Sequence, residues 1–166
     1  MAAGFTYEPL YTNTLISNTA TVSFSSFSGY TDLVLVINGI MSTSGASVYM
    51  DFNGVITGGL YSYTLIRGNG STATSGGGSA SIGEPLGGTN GYTASRYTIV
   101  CNIQDYANTT TYKSSLVRWS QADGLTEVLV NLWASTAAIT SLTVKNNDTH
   151  TFLTGSTFTL YGIKAA

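Results

Sequence analysis

Apolar and polar residues alternate with a period of two along most of this chain. The pattern is clearest in TVSFS at 21–25, where Val22 and Phe24 share one face, and in TFTLY at 157–161. Alternation of this kind is typical of antiparallel strands with one face in the core and one in water. Residues of high helix propensity never recur at helical spacing over three turns, so we expect no substantial helix.

Two further segments are apolar on both faces, LVLVI at 33–37 and VLVNLW at 128–133. They predict central strands covered on two sides, and one of the covers can be a neighbouring subunit. Turn residues such as Asn-Gly and Asp-Gly separate the apolar segments. Strands are predicted at 9–16, 21–27, 32–40, 47–53, 62–67, 96–104, 113–120, 126–134, 139–145 and 156–163.

Short strands at this spacing predict an all-β fold. We therefore predict a single-domain antiparallel β-sandwich over residues 1–166, jelly-roll-like and with about ten strands. A chain of 166 residues can bury a core without a disulfide or a structural metal. The lone Cys101 shares the strand parity of Ile99 and Ile103, which predicts a buried, unreactive thiol.

Two segments lack the apolar–polar alternation of the predicted strands. Residues 68–93 are rich in Gly and Ser and predict a long loop, in which 79–82 can add a short strand. This loop is either a contact arm or a surface excursion without a partner. Residues 1–9 form a second candidate arm, since Pro9 favours extended geometry in the residue before it. That arm lies either along a neighbour or on its own sheet.

Charge is scarce in this chain. Only 8% of its residues are charged, against roughly a quarter in ordinary soluble domains. The net charge is −2, so the basic patch of a nucleic-acid-binding protein is missing, and no apolar run has the length of a membrane span. Six Lys+Arg and two Pro are too few to guard the strand edges of a sheet, which favours an oligomer.

Groups for catalysis or metal binding are equally few. His150 is the one histidine and lies in a turn-like stretch, where a solvated side chain is expected. The eight carboxylates show neither a recognisable glycosidase pair nor the spacing of a calcium loop. We therefore expect no enzyme activity, no catalytic residues, no cofactor and no metal.

Aromatic residues give the strongest interaction signal, with eleven Tyr, six Phe and two Trp. Tyrosine offers contact area and a hydroxyl at low entropy cost. Both tryptophans are expected in the core. The candidate partner-contact residues are Phe5, Tyr7, Tyr11, Tyr61, Tyr63, Asn69, Tyr92, Tyr106 and Tyr112.

The order and spacing of several short segments resemble small virion structural proteins of tailed phages, especially those infecting cyanobacteria and marine bacteria. These segments are TYEP at 6–9, YTDLVLV at 30–36, MDFNG at 50–54, YSYT at 61–64, GNGS at 68–71, NTTTYK at 108–113, LWASTAAITS at 132–141 and TLYGIK at 159–164. Where that pattern has Arg after Trp133, this chain has Ala134. The resemblance implies a β-sandwich on the capsid exterior or on a tail fibre, and it supplies no catalytic residues.

Two function classes follow from the resemblance. The first is a capsid decoration or cement protein, a homotrimer that binds the major capsid protein on the outside of the virion after assembly in the host cytoplasm. The second is a tail-fibre or receptor-binding module that adheres to carbohydrate through loop tyrosines. The sequence has no coiled-coil or collagen-like shaft, which favours the decoration protein. Neither class binds nucleic acid or a membrane.

Overall fold

Twelve β-strands and no helix make up the secondary structure of residues 6–43, 45–88, 95–121, 124–147 and 150–164, which the computed structural model describes. The strands are β1 (Tyr7–Thr14), β2 (Thr21–Ser25), β3 (Asp32–Ile40), β4 (Val48–Phe52), β5 (Tyr61–Gly68), β6 (Ala73–Ala80), β7 (Glu84–Gly87), β8 (Arg96–Ile103), β9 (Lys113–Gln121), β10 (Leu125–Trp133), β11 (Ser141–Asn146) and β12 (Thr157–Ile163).

The strands form two antiparallel sheets. The large sheet has the order β1-β12-β3-β8-β9-β10-β5-β6, and the small sheet has the order β2-β11-β4-β7. Along the strands of the large sheet, every second side chain faces the small sheet, as expected for a sandwich. The prediction of an all-β sandwich is confirmed, with twelve strands among the described residues instead of about ten.

The core lies between the two sheets. From the large sheet it takes Leu33, Leu35, Ile37, Ile99, Cys101, Ile103, Val117, Trp119, Leu129, Trp133, Phe158 and Leu160. From the small sheet it takes Val22, Phe24, Val48, Met50, Phe52, Leu86, Leu142 and Val144. The expected burial of both tryptophans and of the free thiol of Cys101 is confirmed.

The prediction of one long loop over 68–93 is wrong for its described part. Residues Ala73–Ala80 form β6, which pairs with β5 along its whole length, and Glu84–Gly87 form β7 in the small sheet. Strand β6 contains three glycines and otherwise small residues, and glycine is usually depleted in strands. The hydrogen-bond ladder with β5 holds this segment in the strand conformation. Residues 89–94 lie outside the described part.

The N-terminal segment lies on its own sheet from Tyr7 onward. Strand β1 pairs with β12 through Thr14, with an irregularity between Pro9 and Tyr11. The alternative of packing on its own sheet therefore describes residues 7–9. Residues 1–5 lie outside the described part.

Candidate functional site

The large sheet extends beyond the small sheet on one side. Strand β7 forms the edge of the small sheet and packs on β10, β9 and β5 of the large sheet. Strand β6 lies one strand further out, and seven of its eight residues are exposed. The inner face of β5 and β6 is therefore uncovered next to β7, and a cleft opens there.

The cleft has a volume of about 250 Å³. Its wall from the large sheet includes Tyr63, Leu65 and Arg67 of β5 and Leu129 of β10. These residues share the inward parity of Tyr61 and Trp133, so the same alternation that builds the core also lines the cleft. The remaining lining residues are Ser47, Tyr49, Ser79, Ala80, Ser81, Ile82, Pro85, Gly87 and Glu127.

An ion pair lies in the cleft. The Arg67 Nη2 atom is 2.5 Å from Glu127 Oε1, and the Glu127 side chain is fully buried while that of Arg67 is 22% exposed. The backbone N–H of Gly88 donates to Glu127 Oε2 at 3.1 Å. Arg67 and Glu127 are partners in the β5–β10 ladder, so strand register sets their pairing.

Glycines leave the inner face of β6 without side chains next to the Tyr63 ring. Gly78 is the ladder partner of Tyr63, and Gly76 is the partner of Leu65. A Cβ atom added at Gly78 would lie 3.7 Å from the Tyr63 hydroxyl oxygen. Glycine inside a strand often marks a place where another molecule approaches the backbone closely.

A second polar cluster is buried between the sheets. The Ser115 hydroxyl donates to Glu84 Oε1 at 2.8 Å, and the Asn131 amide donates to Ser115 Oγ at 3.2 Å and to the Pro85 carbonyl at 3.0 Å. Burial raises the pKa of the Glu84 carboxyl to about 8, against the opposing effect of the Ser115 hydrogen bond. The raised pKa favours the protonated carboxyl of Glu84 at pH 7, and the Glu84, Ser115 and Asn131 side chains are all buried.

The outer face of the large sheet carries an apolar surface, which we call the outer-face patch. It consists of Ile66, Leu116, Val128, Val130 and Leu132. Leu116 faces Val130, and Ile66 faces Val128 across their ladders, so the side chains are adjacent. Ile66 is 61% exposed and Val130 55%.

The surroundings of the outer-face patch are almost uncharged. On β5, β9 and β10, all of which are described, Arg118 is the one charged residue that points outward. The neighbouring β8 contributes Val100, which faces Arg118. The prediction that 128–133 is a central strand is confirmed, because β10 lies between β9 and β5. The second cover predicted for its outer side is not supplied by the described residues of the chain.

The prediction that Tyr61 and Tyr106 contact a partner is wrong, because both side chains lie in the core. Tyr61 is fully buried; its hydroxyl donates to the Val55 carbonyl at 2.9 Å and accepts from the Phe52 backbone N–H at 3.0 Å. Tyr106 is 2% exposed and its ring packs edge-on against Phe27. Tyrosines that flank turns were predicted to be accessible, but these two belong to the hydrophobic core.

The remaining described candidates are accessible but lie apart. Tyr7 and Tyr11 lie on β1, the edge of the large sheet opposite to β6, and Tyr112 is 57% exposed just before β9. Asn69 shapes the β5–β6 turn, where its side chain accepts from the N–H groups of Ser71 and Thr72. Tyr63 alone of these candidates lines the cleft. Phe5 and Tyr92 lie outside the described residues.

The sequence interpretation missed Arg67 and Glu127. Their signal was parity: Glu127 stands between Leu125 and Leu129 with the same inward orientation, and Arg67 follows Leu65 in the same way. A charged residue at an inward position predicts a partner or a cavity.

Among the described residues, no cluster of three or more His, Cys, Asp or Glu side chains could hold a metal ion. A helix long and apolar enough to cross a membrane is likewise missing from the described ranges.

Comparisons with known proteins give little further information. No family model and no curated protein matches the chain. A solved structure of a mutant of the alginate lyase Aly36B, in complex with alginate tetrasaccharide, is similar at a TM-score of 0.27 and 8% sequence identity. The match covers 96% of this chain and 75% of that chain. A TM-score this low carries no argument about fold or activity.

Proposed function

We propose that this protein is a non-enzymatic structural protein of a phage virion, a capsid decoration or cement protein that binds the shell of major capsid protein. The outer-face patch carries the proposal. A contiguous, nearly uncharged apolar surface on a folded chain is typical of a protein–protein contact. The sequence resemblance to virion proteins gives the class of partner.

The physical basis of attachment is burial of apolar area. Removing apolar surface from water contributes about 25 cal/mol per Å², and many copies on one shell add their contacts by multivalency. Because Arg118 is the one outward charge on β5, β9 and β10 around the patch, binding through the patch should depend weakly on salt. The homotrimer remains part of the proposal, since β6 offers an exposed edge without charged residues.

The test requires a tailed phage whose genome encodes the chain, and it uses undecorated capsids of that phage. The unaltered protein and the variant Val130→Asp are mixed with these capsids and separated on a density gradient. Burial of an unpaired aspartate is unfavourable, so the variant should bind at least about tenfold more weakly. Ile16→Asp is the matched control, because Ile16 is 93% exposed outside the patch.

Two results would overturn the proposal. Purified virions that lack the chain exclude a structural role, and equal retention of Val130→Asp and Ile16→Asp excludes the patch. Sedimentation equilibrium of the free protein tests the trimer, which should have three times the chain mass of 17.4 kDa.

The alternative function, a carbohydrate-adhesion module, is favoured by one observation, the cleft beside Tyr63.

A further inference from the structure

We infer that the cleft between β5, β6 and β7 binds a neutral saccharide, with the Tyr63 ring as the apolar platform and the Arg67 guanidinium, held by the buried Glu127, as the hydrogen-bond donor. The inference concerns a different surface from the outer-face patch. It holds whether the protein decorates a capsid or mediates adhesion, since a sugar site is compatible with both.

The apolar half of the site is the Tyr63 ring. This side chain is half-buried on the inner face of β5, and it lines the cleft together with Leu65. Its ladder partner is Gly78, which has no side chain to cover the ring. A sugar ring presents C–H groups on one face and hydroxyls around its edge, so it matches an uncovered aromatic ring with polar groups beside it.

The polar half of the site is the Arg67–Glu127 pair. Glu127 is fixed by Arg67 and by the Gly88 N–H, so its carboxylate is held in place before any ligand arrives. A guanidinium carries five N–H donors, and the Arg67 side chain is 22% exposed, so part of its guanidinium can reach a ligand in the cleft. N–H donors held in one plane in this way can donate to neighbouring hydroxyl oxygens of one sugar.

The charge of the cleft decides between classes of ligand. Arg67 and Glu127 compensate each other, and the other lining residues are uncharged. An anionic ligand would find no free cation, because Arg67 is already paired with Glu127, and a cationic ligand would face the partly exposed Arg67 guanidinium. The ligand that fits is polar but neutral, which describes a saccharide without uronate or sulfate groups.

The size of the cleft and its rim agree with one sugar residue of a longer glycan. The volume of about 250 Å³ is below the roughly 300–1,000 Å³ of pockets that enclose drug-sized ligands. Ser79 and Ser81 are exposed at the rim, and Ser47 lies on the side of the small sheet. Their hydroxyls can donate to or accept from hydroxyls that project from the bound ring.

The experiment is isothermal titration of the full chain with four neutral trisaccharides: maltotriose, cellotriose, mannotriose and chitotriose. Trigalacturonate is the anionic comparison. We expect at least one neutral probe to bind with a millimolar or lower Kd, and trigalacturonate to bind at least about tenfold more weakly. The variant Tyr63→Ala should weaken the neutral probe by about tenfold or more, whereas Tyr63→Phe, which keeps the ring, should stay within about threefold.

Tyr112→Ala is the matched control, because Tyr112 is an exposed tyrosine outside the cleft. Thermal melts of all variants check the fold, and Tyr63→Leu, which removes the ring but keeps an apolar side chain, takes the place of Tyr63→Ala if that variant does not fold. The inference is overturned if no neutral probe binds at about 10 mM, if trigalacturonate binds best, or if Tyr63→Ala binds as tightly as Tyr112→Ala. None of these outcomes bears on capsid retention, which is tested with Val130→Asp.

Discussion

The ring of Tyr97 covers Gly39, its partner across the β3–β8 ladder. On its other side the ring is stacked on Trp119, with centroids 4.4 Å apart and planes at 10°. Tyr97 is therefore held between the glycine and the indole, and it has no space to move away from a larger residue at position 39.

Gly39→Ala should consequently destabilise the protein. The added methyl group would overlap the Tyr97 ring, and overpacking of this kind costs about 1–3 kcal/mol. Urea unfolding measures the change. Gly58→Ala is the matched control, since a Cβ at Gly58 meets no atom within 4 Å, and it should change stability by less than about 0.5 kcal/mol. Equal unfolding midpoints for the two variants would contradict the packing described for Tyr97.

The buried Glu84 predicts a stability that falls as pH rises. Its pKa is about 8 in the fold and near 4.5 in the unfolded chain, so between these values the folded state holds a proton that the unfolded state has lost. The contribution is complete below about pH 4.5 and is lost as pH rises through about 8. Urea unfolding from pH 5 to 9 should show the decline.

Glu84→Gln removes this titration while keeping the shape of the side chain. The decline between pH 5 and 9 should be much smaller in the variant, because a neutral amide stays uncharged throughout. The variant Asp51→Asn is a useful comparison, since Asp51 is paired with Lys145 at 2.8 Å instead of being unpaired. An unchanged slope in Glu84→Gln would show that another group causes the pH dependence.

Asn53 joins β4 to the segment that leads into β11. It adopts a left-handed backbone with φ of 56°, and its side-chain oxygen accepts from the N–H groups of Thr140 at 2.7 Å and Ser141 at 3.1 Å. Its amide donates to the Ala138 carbonyl at 2.8 Å. Asn53→Ala leaves these groups unpaired and should cost about 1–3 kcal/mol in thermal or urea unfolding.

The control for Asn53 is Asn69→Ala. Asn69 makes the same kind of side-chain contact with Ser71 and Thr72, but at an exposed hairpin turn where water replaces the lost hydrogen bonds. Its effect should stay below about 1 kcal/mol. If Asn69→Ala is the more damaging of the two, the connection at Asn53 is less important than its contacts indicate.

The Arg67–Glu127 ion pair in the cleft should contribute more to the free energy of unfolding than the Glu8–Lys164 ion pair at the surface. Glu127→Gln leaves Arg67 without its anionic partner, and breaking a buried pair in this way costs about 3–5 kcal/mol. Glu8 pairs with Lys164 at 2.9 Å, but both side chains are about half exposed, so Glu8→Gln should have little effect. Urea unfolding at pH 7 compares the variants, and similar losses for both would show that burial does not strengthen the Arg67–Glu127 pair.

Strand positions and the sandwich class could be predicted because alternation is a local property. In TVSFS at 21–25 the two apolar residues are both in the core, and the double-sided run at 128–133 is a central strand with an apolar outer face. Strand β6 could not be predicted in this way. Its sequence ATSGGGSA has no apolar alternation, and it forms a strand because β5 offers a complete ladder beside it.

The candidate site was predicted only in part, because local sequence does not show which residues the other sheet covers. The aromatic signal included Tyr63, but it also included Tyr61, and nothing local distinguishes the two tyrosines, which lie two residues apart on one strand face. Tyr61 lies under the small sheet and Tyr63 lies beside β7, where the cover ends. The position of that boundary depends on how far one sheet extends past the other.

The sequence by itself determined an all-β sandwich with little charge, a buried thiol and inward-facing tryptophans, since periodicity and composition act through each residue and its near neighbours. Only the tertiary structure decided that Arg67 meets Glu127, that Glu84 is buried with Ser115, and that β6 extends beyond the core. Glu84 and Ser115 are 31 positions apart in the sequence, and Arg67 and Glu127 are further apart. These relationships depend on strand order and on the offset between two sheets, and the pattern along a single strand contains neither.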